Sequence, residues 1–253
     1  MKDWALILGA SSGIGAACAK KLAQKGINIY GLYLRKKKSD VEKITENLKS
    51  FGVDVIYKKA NASNVDSRNK IISELAEIKN IRVKMLIHSV AFGTLKNMVG
   101  DEPLTKSNIE MTQDVMCNNL IYWTQELHEN KLLSNGSHII AMTSAGGRKN
   151  WNYYGAISIA KAAIESIIRQ LSIELAPYGI SANAIQAGVT DTAALRKIPG
   201  NEIMINNALK INPHKRLTSP EDIADVIEMF VSYESSWMTG NIINVDGGEN
   251  ITS

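Results

Sequence analysis

Two side chains in the segment W-N-Y-Y-G-A-I-S-I-A-K, residues 151–161, have types and spacing suited to acid chemistry. Tyr154 precedes Lys161 by seven residues, and a helix, which advances about 100° per residue, would place both on one face. A phenol beside an ammonium group is an acid, because the positive charge favours the phenolate. The spacing predicts a general acid if a nearby reaction produces an anion. The alternative is that both tyrosines pack in the core and Lys161 is solvated, and for Tyr153 we favour packing.

A glycine-rich turn near the N-terminus predicts the kind of cofactor with which such an acid would act. The apolar run Ala5 to Leu8 ends in G-A-S-S-G-I-G, residues 9–15, and a helical pattern follows. Glycines let the backbone approach a pyrophosphate, and the helix N-terminus supplies free amide donors. We therefore predict a dinucleotide site, with a plain tight turn as the alternative. The residues assigned to the cofactor are Gly9, Ser11, Ser12, Gly13, Ile14 and Gly15.

The end of the second predicted strand, residues 27–34, indicates which dinucleotide is bound. An acidic residue there would bind the adenosine ribose hydroxyls, whereas a basic residue accommodates a 2′-phosphate. No carboxylate occurs between Asp3 and Asp40, and the strand runs into Y-L-R-K-K-K, residues 33–38. We predict NADPH rather than NADH, with Arg35 as the leading phosphate ligand. The three lysines that follow Arg35 fit a solvated helix start better.

The rest of the chain alternates strands and helices, which favours a doubly wound α/β fold. Further strands are predicted at 53–59, 84–90, 137–143, 180–186 and 241–245, and helices at 41–51, 65–79, 108–131, 152–176 and 220–233. Such alternation implies a parallel sheet with right-handed crossovers, the Rossmann fold. No linker divides the chain, so we expect a single domain over residues 1–253. The apolar, irregular segment at 190–216 suggests a mobile lid over an acyl chain, or ordinary core packing.

Ligands of such a sheet bind beyond the carboxyl ends of its strands. Ser144 directly follows the strand predicted at 137–143, and it should therefore meet Tyr154 and Lys161 at the edge that carries the glycine turn. The other residues at this edge that we assign to the cofactor are Asn61, Ala62, Ser89, Gly188 and Thr190.

Composition and charge exclude several function classes. The formal net charge is +4 with acids and bases interspersed, so no basic stripe indicates nucleic-acid binding. Cys18 and Cys117 are the only cysteines and lie far apart, which fits a reducing compartment without disulfides. The four histidines lack metal-ligand spacing, and no segment approaches membrane-spanning length. We expect a cytoplasmic protein that binds neither metal nor membrane.

With these residues in view, the chain resembles the short-chain dehydrogenase/reductase superfamily over essentially its full length. The glycine turn matches the superfamily's T-G-x-x-x-G-x-G apart from its first residue, and V-D-G-G at 245–248 is similar to its C-terminal signature. Asn119 resembles the asparagine of the superfamily's proton relay, with Asn118 as a close competitor. Thr192 resembles the superfamily residue that holds the nicotinamide carboxamide, and we therefore assign Thr192 to the cofactor as well. Helix N-capping is its alternative role.

The tyrosine position departs from most of the superfamily. Most members carry tyrosine four residues before the lysine, a place taken here by Ile157, whereas this chain has Y-x-x-x-x-x-x-K. That spacing resembles the NADPH-dependent enoyl-[acyl-carrier-protein] reductases, and H-S-V-A-F-G at 88–93 is similar to their H-S-[IL]-[AG]-[FY]. The resemblance implies an enoyl thioester substrate carried on acyl carrier protein, Lys161 at the nicotinamide ribose, and a homotetramer. It makes Tyr154, Lys161, Ser144 and Asn119 the expected catalytic residues.

A physical argument accounts for the displaced tyrosine. A carbonyl reductase protonates the oxygen bonded directly to the carbon that receives hydride. An enoyl thioester receives hydride at its β-carbon, and negative charge develops on the more distant thioester oxygen. Moving the tyrosine from position 157 to 154 shifts its Cα by about 4.5 Å along a helix, in the direction that this chemistry requires. A 3-oxoacyl or other carbonyl reductase is the nearest alternative, and a cofactor-binding protein without catalysis is another.

Overall fold

A seven-stranded parallel sheet forms the centre of the protein, whose computed structural model describes residues 1–252. The strands are β1 (Lys2–Leu8), β2 (Asn28–Tyr33), β3 (Val55–Lys59), β4 (Ile81–His88), β5 (His138–Ser144), β6 (Ser181–Ala187) and β7 (Ile242–Val245). Their order is β3-β2-β1-β4-β5-β6-β7, and neighbouring strands are parallel. The order reverses at β1, so the carboxyl end of β1 is the switch point where ligands bind in such sheets. The predicted doubly wound α/β fold is confirmed.

Helices cover both faces of the sheet. They are α1 (Gly13–Gln24), α2 (Lys38–Lys49), α3 (Val65–Ala76), α4 (Lys106–Gln113), α5 (Asn119–Glu129), α6 (Gly155–Leu175), α7 (Asn201–Ile211) and α8 (Pro220–Met229). Successive strand residues point to opposite faces, so Leu6 packs in the apolar layer under α3, α5 and α6, whereas Ile7 packs under α1, α2 and α8. Among the described residues, no helix is both long and apolar enough to cross a membrane.

Three predicted elements differ from the observed ones. The helix predicted at 108–131 is divided by a π-helical turn, Asp114–Asn118, which separates α4 from α5. The helix predicted from residue 152 begins only at Gly155, because Tyr153 has a φ of +65° that no helix accommodates. The segment at 190–216 is not irregular throughout, since it contains a short 3₁₀ turn and then α7, which starts after Gly200 at φ +76°.

Candidate active site

The turn between β1 and α1 brings the backbone close to any ligand at the switch point. Gly9 and Gly13 have φ values of +91° and +53°, where side chains other than glycine are strained. A Cβ on Gly9 would collide with the carbonyl oxygen of Ser89, and one on Gly15 with that of Gly9. The glycines therefore let the turn pack directly against both the loop after β4 and the start of α1.

The first turn of α1 offers unpaired donors at this point. Ser12 occupies the N-cap position in an extended conformation, and its side chain makes no capping hydrogen bond. The first turn carries no acidic residue, so the free amides and the partial positive charge of the helix remain available to an anion. Ser11 and Ile14 are half-buried beside Ser12. Together with the glycines, this arrangement fits the pyrophosphate of a dinucleotide.

Arg35 lies beyond the carboxyl end of β2, as predicted, and is exposed. Its guanidinium carbon lies 3.7 Å from the centroid of the Phe92 ring. Among residues 1–252, no ion pair involves Arg35. Its charge is therefore available to an anionic ligand. Lys38, three residues further on, pairs with Glu42 at 3.8 Å.

The residues predicted after β3 lie at the expected edge, but part of their polar capacity is already used. The side-chain oxygen of Asn61 accepts hydrogen bonds from the amide and the hydroxyl of Ser63, both at 3.2 Å. The carbonyl oxygen of Ala62 accepts one from Trp123 Nε1 at 2.9 Å. The Asn61 carbonyl oxygen also accepts a hydrogen bond, from the Asn64 amide at 3.1 Å. These bonds fix the conformation of the loop, and they leave the side-chain nitrogen of Asn61 for a ligand.

The loop after β6 also approaches the glycine turn. Gly188 leaves no room for a side chain beside Thr218, and the Thr190 hydroxyl donates to the Gly188 carbonyl at 2.9 Å. Thr192 Oγ1 accepts a hydrogen bond from the Leu195 amide at 3.3 Å, although the N-cap residue of the 3₁₀ turn that starts at Leu195 is Ala194. Its methyl group also faces Gly13, so Thr192 lies against the turn that a dinucleotide would contact.

Tyr154 and Ser144 meet where β5 ends and α6 begins. The carbonyl of Tyr154 accepts the first hydrogen bond of the helix, from the Ser158 amide at 2.8 Å. Its ring packs edge-on against Trp151, with centroids 6.1 Å apart, and against Gly146, where a Cβ would lie 2.5 Å from Tyr154 Cε1. The absence of a side chain at Gly146 thus makes room for the ring beside Ser144.

The electrostatics of Tyr154 differ from the prediction. Burial raises the pKa of its phenol, and the neighbouring Ser144 side chain opposes this shift. The predicted lowering by Lys161 is wrong in this structure, because Lys161 Nζ instead donates to the Met142 carbonyl oxygen at 2.7 Å. Burial lowers the pKa of Lys161 to about 8. At neutral pH the site therefore holds a protonated phenol and a largely protonated lysine.

The two residues that compete with Tyr154 point elsewhere. Ile157, at the usual tyrosine position of the superfamily, is 7% exposed and packs in the core beside Gly93. Tyr153 is 41% exposed. Our expectation that Tyr153 packs in the core is wrong, since its side chain is exposed at a residue whose φ is positive. Tyr154 is consequently the phenol that accompanies Ser144.

Asn119, rather than Asn118, is the inward-facing asparagine at the π-helical turn. Its Nδ2 donates to the Val115 carbonyl at 2.8 Å, and its Oδ1 lies 2.5 Å from His88 Nε2. Burial lowers the pKa of His88 to about 4, and the charge of Lys161 contributes to the shift. We did not predict a site role for His88, although its position at the end of β4 could have indicated one. The more exposed Asn118 contacts Cys117 Sγ at 3.4 Å.

A buried carboxylate anchors the loop that carries Ser144, and it was not predicted either. Glu165 is 5% exposed and lies one turn after Lys161 on α6. It accepts hydrogen bonds from Arg148 at 3.2 Å and from the Thr143 hydroxyl at 3.4 Å. The spacing of Lys161 and Glu165 at i and i+4 could have placed both on the buried face of the helix.

Comparisons with known proteins agree with this geometry. The family model described as "Enoyl-(Acyl carrier protein) reductase" matches residues 9–250. The chain belongs to this family. The resemblance to the short-chain dehydrogenase/reductase superfamily that was stated from the sequence is confirmed. The chain is accordingly an oxidoreductase of a family that uses a nicotinamide cofactor.

Individual relatives of this short-chain reductase are distant and differ in activity. It is 27% identical over 250 residues to the NADH-dependent enoyl-[acyl-carrier-protein] reductase FabI of Aquifex aeolicus, covering 98% of this chain and 91% of that protein. It is 28% identical over 252 residues to the 3-oxoacyl-[acyl-carrier-protein] reductase FabG of Buchnera aphidicola, covering 98% and 97%. The crystal structure of the Aquifex aeolicus enzyme superposes with a TM-score of 0.84 at 26% identity, over 99% of this chain and 96% of that chain.

Proposed function

We propose that the protein reduces the trans-2 double bond of an enoyl thioester with NADPH. The observation that carries the proposal is the position of Tyr154. Its phenol lies beside Ser144 at the start of α6, while the apolar Ile157 fills the position where most of the superfamily has tyrosine. A donor displaced toward the helix start suits an anion that develops away from the reduced carbon.

The side chains at the site support distinct roles in this reaction. When bound, the cofactor supplies hydride to the β-carbon. Tyr154 donates a hydrogen bond to the enolate oxygen, and one well-aimed donor of this kind stabilises a transition state by roughly 3–4 kcal/mol. The α-carbon of the enolate then takes up a proton from solvent, which gives the saturated thioester. Lys161 holds positive charge nearby and binds the nicotinamide ribose. Ser144 lines the pocket beside the phenol, and Asn119 fixes the π-helical turn from which α5 starts.

The preference for NADPH is supported by the charge at the end of β2. Arg35 has no carboxylate partner among the described residues, and the strand end lacks the acidic residue that would bind free ribose hydroxyls. The Aquifex aeolicus relative is named as NADH-dependent, so the proposal gives this chain a different cofactor from that relative. Tighter binding of NADH than of NADPH to the wild-type protein would reject the preference.

The test of the reaction uses crotonyl and acetoacetyl thioesters with NADPH. We expect turnover of the crotonyl thioester, and we expect Tyr154→Phe to lower kcat about 10²- to 10³-fold while NADPH affinity stays the same. Tyr153→Phe is the matched control and should keep kcat, because its side chain is exposed. Unchanged turnover in Tyr154→Phe would remove Tyr154 from the mechanism.

Reduction of a 3-oxoacyl or other ketone is the second candidate function. Ser144 favours it, because a hydroxyl beside the tyrosine phenol is an arrangement that can polarise a carbonyl. The FabG relative has this activity by name. Faster turnover of the acetoacetyl than of the crotonyl thioester would support this alternative, and NADPH binding without turnover of either would indicate a binding protein.

Several further properties belong to the same proposal. An acyl carrier protein presents the substrate, and the segment at 190–216 closes over the acyl chain. Within that segment α7 exposes Ile203 and Leu209, which could meet an aliphatic chain. A homotetramer is supported by α6, which exposes Ile159 and Ile173 outside the intramolecular core. Sedimentation of the purified protein would measure the oligomeric state.

A further inference from the structure

The contact between Arg35 and Phe92 bridges the switch point of the sheet. Arg35 follows β2 and Phe92 follows β4, and these two strands are the neighbours of β1. The guanidinium carbon lies 3.7 Å from the ring centroid, well within the distance at which a cation interacts with an aromatic face. The pair therefore joins the two loops that flank the glycine turn at the end of β1.

The ring is the partner that orders the Arg35 side chain. Arg35 is exposed and takes part in none of the ion pairs formed among residues 1–252. An arginine without a partner samples many rotamers, and a ligand that fixes it must overcome that entropy. Stacking on Phe92 restricts the guanidinium before any ligand arrives, which lowers the entropic cost of binding.

Stacking and phosphate binding use different parts of the guanidinium group. The aromatic ring contacts the planar face, whereas the five N–H donors lie in the plane and point outward from its edge. Arg35 can thus remain on Phe92 while its edge donates two parallel hydrogen bonds to phosphate oxygens. A lysine at this position could not do both, because its ammonium group has no planar face.

We propose that Phe92 positions Arg35 for the 2′-phosphate of NADPH and is therefore a determinant of cofactor selectivity. The inference rests on the proposed preference for NADPH. Phe92 has no assigned part in the reduction itself, so its contribution concerns the adenosine end of the cofactor, and it should be visible in binding without any substrate.

The experiment measures dissociation constants of NADPH and NADH by fluorescence titration for the wild type and two variants. Phe92→Leu removes the aromatic face but keeps an apolar side chain, and Phe92→Tyr, the matched control, keeps the face. We expect Phe92→Leu to lower the NADPH-to-NADH affinity ratio about two- to fivefold, as an exposed cation–π contact implies. Phe92→Tyr should keep the wild-type ratio, and NADH affinity should be equal in all three proteins.

An Arg35→Ala background separates the possible outcomes. There, Phe92→Leu should no longer change the ratio, because the guanidinium through which it acts is gone. A wild type that binds NADH more tightly would overturn the proposed cofactor and this inference together. A wild type that prefers NADPH, with the same ratio in Phe92→Leu, would overturn only the role of Phe92. Equal changes in NADPH and NADH affinity would also overturn it, since they would show a general packing effect.

Discussion

Substituting Gly146 with alanine tests whether the position of the Tyr154 phenol matters for the reaction. Gly146 does not have a positive φ, so its backbone accepts alanine without strain. The new Cβ would lie 2.5 Å from Tyr154 Cε1 and 3.2 Å from Ser144 Oγ. Carbon atoms in contact are normally about 3.5 Å apart, so the ring must move away by about 1 Å.

That displacement sets the size of the expected effect. Misplacing a reacting group by about 1 Å can cost about 10²-fold in rate, which corresponds to about 2.7 kcal/mol of activation free energy. We therefore expect Gly146→Ala to reduce kcat for the crotonyl thioester about 10²-fold. NADPH affinity should stay close to the wild-type value, because the glycine turn and Arg35 lie on other loops. Overpacking should lower the free energy of unfolding by about 1–3 kcal/mol.

The double variant with Tyr154→Phe provides the control. If Gly146→Ala acts by displacing the phenol, it should have little further effect on kcat once the hydroxyl is absent. Steady-state rates from nicotinamide absorbance, with an unfolding curve for each variant, measure both quantities. Wild-type kcat in Gly146→Ala would refute the reasoning, and so would a full, additive loss in the double variant.

Three further predictions concern charge. The kcat should fall about tenfold per pH unit above about 8, because Lys161 has a pKa of about 8 and loses its positive charge as pH rises. A kcat that stays unchanged up to pH 10 would contradict this. Glu165→Gln should lower the free energy of unfolding by only about 1 kcal/mol, because the side chain of its partner Arg148 is 55% exposed and the pair is therefore screened. A denaturation curve showing a loss above about 3 kcal/mol would be inconsistent. His88 and His138 each have a pKa lowered from 6.5 to about 4 by burial. Between these two pH values the histidines take up protons in the unfolded chain but not in the folded one. Stability should therefore fall between pH 6.5 and 4, by about 2 kcal/mol per histidine at pH 5, and equal unfolding free energies at pH 7 and pH 5 would argue against it.

The sheet and the glycine turn were predictable because their signals are local. A strand buried on both faces is a short apolar run, and in β1 that run leads directly into glycines whose positive φ values the turn requires. Parallel topology then places the loops after every strand at one edge. This reasoning correctly brought Ser144 and Tyr154 together, although they belong to different elements.

The features that were not predicted depend on contacts between distant segments. Tyr153 is a β-forming aromatic residue, and nothing in its neighbours indicates the φ of +65° that delays the start of α6. The partner of Lys161 is a main-chain carbonyl on β5, which carries no sequence signal. His88 and Asn119 are 31 residues apart, and their contact arises only when the π-helical turn directs Asn119 inward.

The raised pKa of Tyr154 changes how the displaced tyrosine should be understood. An alkoxide, the product of hydride addition to a ketone, is strongly basic and requires rapid proton transfer from an adjacent acid. The enolate of a thioester is a weaker base, and its proton finally resides on carbon, so a hydrogen bond to its oxygen is sufficient. A buried phenol that remains protonated supplies such a bond without ionising. Placement, fixed by Gly146, Trp151 and the start of α6, then matters more to this site than acidity. For that reason a methyl group that moves the ring by about 1 Å should damage catalysis more than any neighbouring change that alters only the pKa of the phenol.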